Sequence, residues 1–164
     1  MKTLAFVLLF VTVTFGQTIQ EKVGKFADSK KLYSVEYDKF QKQHKVETDI
    51  IVPYAKKQSG FIQSVGQKIS VWAVIPDIGN PFIFLSFSKD RGYYNQPTLR
   101  FLADGELIEV PSDDIDDIVS FDISPKQLRK LADAKVLEMQ LVTFEGKFND
   151  KGIQQLRNIA SLIP

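Results

Sequence analysis

Four carboxylates crowd into five residues at Asp113, Asp114, Asp116 and Asp117, with Ile115 between the two pairs. Oxygen-rich runs of this kind suit calcium, because mutually repelling anions are relieved by a divalent cation. The run lacks the glycine and the terminal glutamate of an EF-hand loop, so its coordination is incomplete. It reads as a solvated turn, with calcium as the alternative and Ile115 tucked toward the protein. A second stretch, Lys89 to Pro97, has the composition of a contact surface: Arg91, Tyr93, Tyr94, Asn95 and Gln96 combine aromatic area with hydrogen-bonding groups. These five form the candidate binding loop, set against the plainer reading of two tyrosines at a strand end.

Several chemistries lack their parts. His44 is the sole histidine and sits among Lys42, Gln43 and Lys45, a setting that predicts a solvent-exposed turn residue and not the held base of a Ser-His-Asp triad. No cysteine occurs, which removes thiol nucleophiles, thiolate ligands and disulfides, and with one histidine leaves no four-ligand zinc site. Carboxylates are numerous, but no pair is marked out for acid–base work. No cofactor and no catalytic residue are therefore expected.

The elements that would position these groups begin with a leader. Lys2, an apolar run from Leu4 to Val13, and Thr14 and Gly16 before Gln17 have the make-up of a secretory signal peptide over residues 1–16. The run is short for a transmembrane helix, which needs roughly 20 apolar residues. Cleavage after Gly16 would leave a single β-rich domain from Gln17 to Pro164, secreted or periplasmic, with no membrane-spanning segment. Lysines and arginines number 21 against 20 acidic residues, so no basic footprint for nucleic acid exists. The charge is uneven, however: 10 basic and 6 acidic residues from Gln17 to Ser70, then 10 and 14 from Val71 onward. That asymmetry could orient a partner or a membrane surface, or simply reflect lysines on edge strands.

The stretch from Ile69 to Ser88 is apolar at both alternating sets of positions and predicts two central strands covered on both sides, with Trp72 in the core and a turn over Pro76 to Pro81. Leu32–Tyr37 and Val46–Val52 predict an antiparallel pair. A break follows over 53–60, then a short edge segment over 61–65. Thr98–Leu102 and Glu106–Val110 flank Asp104-Gly105, a hairpin turn signal, and Val119 to Ile123 alternates as another strand. Thr18 to Glu21 has capping-box spacing for a short N-terminal helix, whereas Ser124-Pro125-Lys126-Gln127 is the strongest helix start. Lys135–Val142 returns to strand, and a last helix begins near Asn149.

These elements predict an α+β chain: about eight mostly antiparallel strands, as a sandwich or partly open barrel, with two helices in the C-terminal third. By elimination the expected function is non-enzymatic binding of a protein, a glycan or an envelope component. A carrier of an apolar small molecule inside a barrel is the alternative, suggested by 13 phenylalanines. A carboxylate-dependent hydrolase ranks below both.

Overall fold

A computed structural model of the chain describes residues 33–58, 61–88, 97–115, 118–142 and 144–163. The expected leader, the expected Thr18 helix start and the candidate binding loop lie outside them. Among the described residues, two open antiparallel sheets carry ten strands, with two helices in the C-terminal third. Neither sheet closes into a barrel. The six-stranded sheet runs β1 (Tyr33–Asp38), β2 (Gln43–Gln58), β3 (Phe61–Pro76), β4 (Phe82–Ser88), β8 (Ile118–Asp122) and β7 (Asp113–Ile115) from edge to edge. The four-stranded sheet runs β10 (Phe144–Lys147), β9 (Leu137–Leu141), β5 (Thr98–Ala103) and β6 (Glu106–Pro111).

Alternation sets which side of each strand is buried. Val46, Thr48, Ile50 and Val52 of β2 face the same interior as Ile69, Val71, Ala73 and Ile75 of β3 and Ile83, Leu85 and Phe87 of β4. Leu99, Phe101, Ile108, Val110, Met139 and Leu141 of the smaller sheet belong to the same continuous cluster. Phe87 and Phe121 meet edge to face at 5.6 Å, a favoured aromatic geometry in its middle.

The central strands are fully buried on one face and only partly on the other, a correction to the two-sided burial expected of Ile69 to Ser88. Trp72, Val74 and Phe84 are half-buried on the outer face and Phe82 is 67% exposed. Trp72 stacks on Phe84 across β3 and β4, centroids 5.8 Å apart and planes 8° from parallel. It is a cross-strand pair and not a core residue.

Of the break expected over 53–60, the part over 53–58 is strand instead, and residues 59 and 60 lie outside the described residues. β2 and β3 pair without interruption from Gln43↔Pro76 to Gln58↔Phe61. Proline is tolerated at position 53 because, among the described residues, β1 accompanies β2 only as far as Thr48 and no strand pairs with β2 on that side there. Two short strands were not anticipated, β10 and the edge strand β7. The latter replaces the expected turn at Asp113 and Asp114 with a ladder, Asp113↔Ser120 to Ile115↔Ile118.

The turns and helix starts follow their local chemistry. Asp104 and Gly105 take φ of 48° and 90°, which a two-residue hairpin requires. The Asp104 carboxylate accepts hydrogen bonds from the Lys135 and Val136 amides, the latter at 2.8 Å, and these donors hold its pKa below the usual carboxylate value. Helix α1 (Pro125–Asp133) opens with the full capping box between Ser124 and Gln127. Helix α2 (Asp150–Leu162) is capped by Asn149, whose side chain accepts from the Gly152 amide. Gln155 Nε2 donates to Thr48 Oγ1 at 2.8 Å and to the Asp49 carbonyl at 3.1 Å, while Asn158 reaches the Tyr33 hydroxyl. These bonds lay α2 along the inner face of β2. Arg157 of α2 donates to the Ala132 and Ala134 carbonyls, closing the C-terminal end of α1 where orphan acceptors need donors.

Candidate functional site

The outward side chains of the four-stranded sheet form two parallel rows. Register places Glu145, Gln140, Arg100 and Glu109 in one row and Lys147, Glu138, Leu102 and Leu107 in the next. The first is internally bonded. Arg100 Nε lies 2.8 Å from Glu109 Oε1, and Gln140 Nε2 donates to Glu145 Oε1 at 2.8 Å. Being surface pairs, they add little stability, but they hold these side chains in defined places. The second row exposes leucine: Leu102 is 40% and Leu107 58% accessible.

A wall rises beside this floor where β2 runs on past Thr48, the last of its residues to pair with β1 among the described residues. Pro53 and Tyr54 meet the edge strand β10, and Tyr54 packs edge to face on Phe144 at 4.7 Å. Glycine at 146 permits the approach: a Cβ there would stand 2.7 Å from Val52 Cγ1 and 3.0 Å from the Pro53 carbonyl oxygen. Floor and wall bound an open groove of about 550 Å³. It offers apolar contact from the leucines and Tyr54, together with donors and acceptors of both signs.

Of the residues expected to bind, Arg91, Tyr93, Tyr94, Asn95 and Gln96 lie outside the described residues, in the connection from β4 to β5. Asp116 and Asp117 also lie outside them. For Asp113 and Asp114 the backbone is placed in β7, with their side chains outside the description. The groove was missed because its parts come from strands distant in sequence. Its readable signal was the outward set of the Thr98–Val110 hairpin, where leucines interrupt a charged face.

His44 is a correction. It is 6% exposed on the inner side of β2, and among the described residues neither ring nitrogen has a hydrogen-bond partner. It opposes Tyr37, ring centroids 4.7 Å apart, and the Tyr37 hydroxyl donates to Asp77 at 3.0 Å. Burial pushes the imidazole pKa down, partly opposed by the Asp77 charge. The alternation of Val46, Thr48 and Ile50 carries back one step to position 44, which places the ring inside despite its lysine neighbours.

Comparison with family models, with curated proteins and with solved structures finds no match to this chain.

Proposed function

We propose that this chain is a non-catalytic binding protein of an exported compartment, and that the groove takes an extended segment of another protein. The observation that carries the reading is the paired-row floor of the four-stranded sheet, Arg100–Glu109 and Gln140–Glu145 beside exposed Leu102 and Leu107, under the Pro53–Tyr54 wall. An extended polypeptide presents apolar and polar groups in alternation, which suits a floor where exposed leucines lie among charged side chains. A glycan is less well suited, since Tyr54 spends its ring on Phe144 and the remaining apolar contacts are leucines. Export is supported by the composition of residues 1–16. The carrier alternative draws less support, because Phe87, Phe101 and Phe121 are fully buried in one continuous core.

Selection of a displayed random-peptide library on the immobilised protein tests this reading, followed by calorimetric titration of the enriched peptides. Enriched peptides should alternate apolar and charged residues, and Leu107→Asp should weaken them about tenfold or more. Leu107 is largely exposed, so the variant should keep the parent's thermal transition. Peptides held equally well by the variant, or a glycan ligand that the variant loses, would overturn the reading.

A further inference from the structure

At one end of the six-stranded sheet two turns stand side by side, the β1–β2 turn over 39–42 and the β3–β4 turn over 77–81. Each raises a large apolar side chain into solvent: Phe40 is 87% and Ile78 94% exposed. Phe82, opposite Val74 at the start of β4, adds a third at 67%. Exposed apolar residues scattered singly need no explanation, but three at one tip do.

The tip is tied down. Asp38 Oδ1 accepts from the Phe40 and Gln41 amides at 3.0 and 3.1 Å, an Asx-type turn. The Asp77 amide donates to the Lys42 carbonyl at 2.8 Å and links one turn to the other, and Tyr37 donates to the Asp77 carboxylate. The backbone thus holds Phe40 and Ile78 outward where either turn could otherwise fold them down.

Charge decides what such a tip fits. Lys39 and Lys42 flank Phe40 on the first turn, and Lys39 Nζ lies 5.3 Å from the centre of the Phe40 ring. The acids on the two turns are engaged within the tip: Asp38 caps the first turn and pairs with Lys45 at 3.7 Å, so neither counts toward its free charge, and Asp77 accepts from Tyr37. Ammonium groups on the turn that raises Phe40, with Ile78 and Phe82 beside it, match a bilayer surface, whose anionic headgroups meet the lysines while the apolar groups enter the acyl boundary. A protein partner would ask for a pocket to receive each protruding residue, whereas a bilayer deforms around them.

We propose that the paired tips carrying Phe40 and Ile78 form a peripheral membrane-contact site selective for anionic lipid. No helix among the described residues is long and apolar enough to cross a membrane, and the contact proposed here is superficial. It is independent of the groove.

Vesicle sedimentation tests it, using the protein as the cell processes it, its N-terminus recorded by intact mass so that parent and variants are matched. Vesicles of phosphatidylcholine alone are compared with vesicles containing about one-third phosphatidylserine, at low and high salt. The parent should bind the anionic vesicles more tightly and lose affinity in salt. Phe40→Ser with Ile78→Ser should weaken that binding about tenfold or more, since each removes an apolar side chain that would leave water. Lys39→Glu with Lys42→Glu should abolish the preference for anionic lipid. Both variants should keep the parent's thermal transition, because the altered side chains face solvent. Inorganic phosphate at millimolar level should not compete. Failure of the parent to bind anionic vesicles, binding unchanged in Phe40→Ser/Ile78→Ser, or displacement by phosphate alone would each overturn the proposal. Self-association of the parent that the same double variant loses, without vesicle binding, would assign the tip to protein contact instead.

Discussion

Replacing Gly146 by alanine separates two reasons a chain keeps glycine. At this position backbone conformation is ordinary and space is short. The new Cβ would stand 2.7 Å from Phe144 Cζ, 2.7 Å from Val52 Cγ1 and 3.0 Å from the Pro53 carbonyl oxygen. Carbon atoms settle at about 3.5 to 4.0 Å, so two contacts fall short by roughly 1 Å. Neither neighbour can swing aside: Val52 is fully buried, and Phe144 is buried and packed on Tyr54. Relief must come from moving β10 away from β2, an overpacking cost of about 1 to 3 kcal/mol. For a chain of this size that lowers the midpoint by roughly 3 to 10 °C, read by thermal denaturation under near-ultraviolet circular dichroism. Gly105 provides the opposite case, with no atom within 4 Å of an added Cβ but φ of +90°. Gly105→Ala should cost about 1 kcal/mol through conformation alone and leave the groove undisturbed. A Gly146→Ala protein melting within about 1 °C of the parent would refute the close approach of β10 to β2 and with it the wall of the groove.

Three further outcomes follow from individual contacts. His44 is held neutral by burial, its folded pKa lying below 6.5, so its contribution to stability is complete above that value and declines as the pH falls from 6.5 through the folded pKa. Urea midpoints measured at several pH values should fall through that window in the parent and much less in His44→Gln. The depressed Asp38 and Asp104 belong to a lower window, since their contributions are lost only as the pH drops below 3.8. Ser124→Ala removes the α1 cap and should cost about 1 kcal/mol by urea denaturation, whereas Ser124→Asp should retain most of the stability. Gln155→Ala takes away the two bonds that seat α2 on Thr48 and Asp49 and should cost about 1 to 3 kcal/mol, with faster amide exchange in α2 as the local signature.

Much of the fold was legible because local rules and burial agreed. Asp104-Gly105 formed its hairpin, Ser124 to Gln127 its capping box and Asn149 its cap, each a short-range preference that tertiary context had no reason to oppose. The errors lie where context overrode the local signal. Pro53 reads as a breaker unless it is known that, among the described residues, β1 pairs with β2 only as far as Thr48. Trp72 and Phe84 read as core because their hydrophobicity equals that of their inward neighbours, and periodicity cannot say which of two apolar faces is covered. β10 has four residues and a central glycine, below what alternation can register, and it exists because β9 offers it an edge.

The candidate sites were less legible for a related reason. The groove floor depends on register across four strands, so Arg100 and Glu109 can be foreseen as a hairpin pair, but not their alignment with Gln140 and Glu145. The membrane-contact tip inverts the usual signal. Phe40 and Ile78 fall in turns, outside any apolar period, and a reading that uses hydrophobic residues to find the core has no place for them. Yet a phenylalanine between Lys39 and Gln41, and an isoleucine between Asp77 and Gly79, are residues that turn chemistry does not call for. Folding does not bury them, and a solvent-exposed turn is better served by polar groups. Their presence on two turns that the backbone ties together therefore points to a contact made after folding, and the lysines on the first turn set its charge.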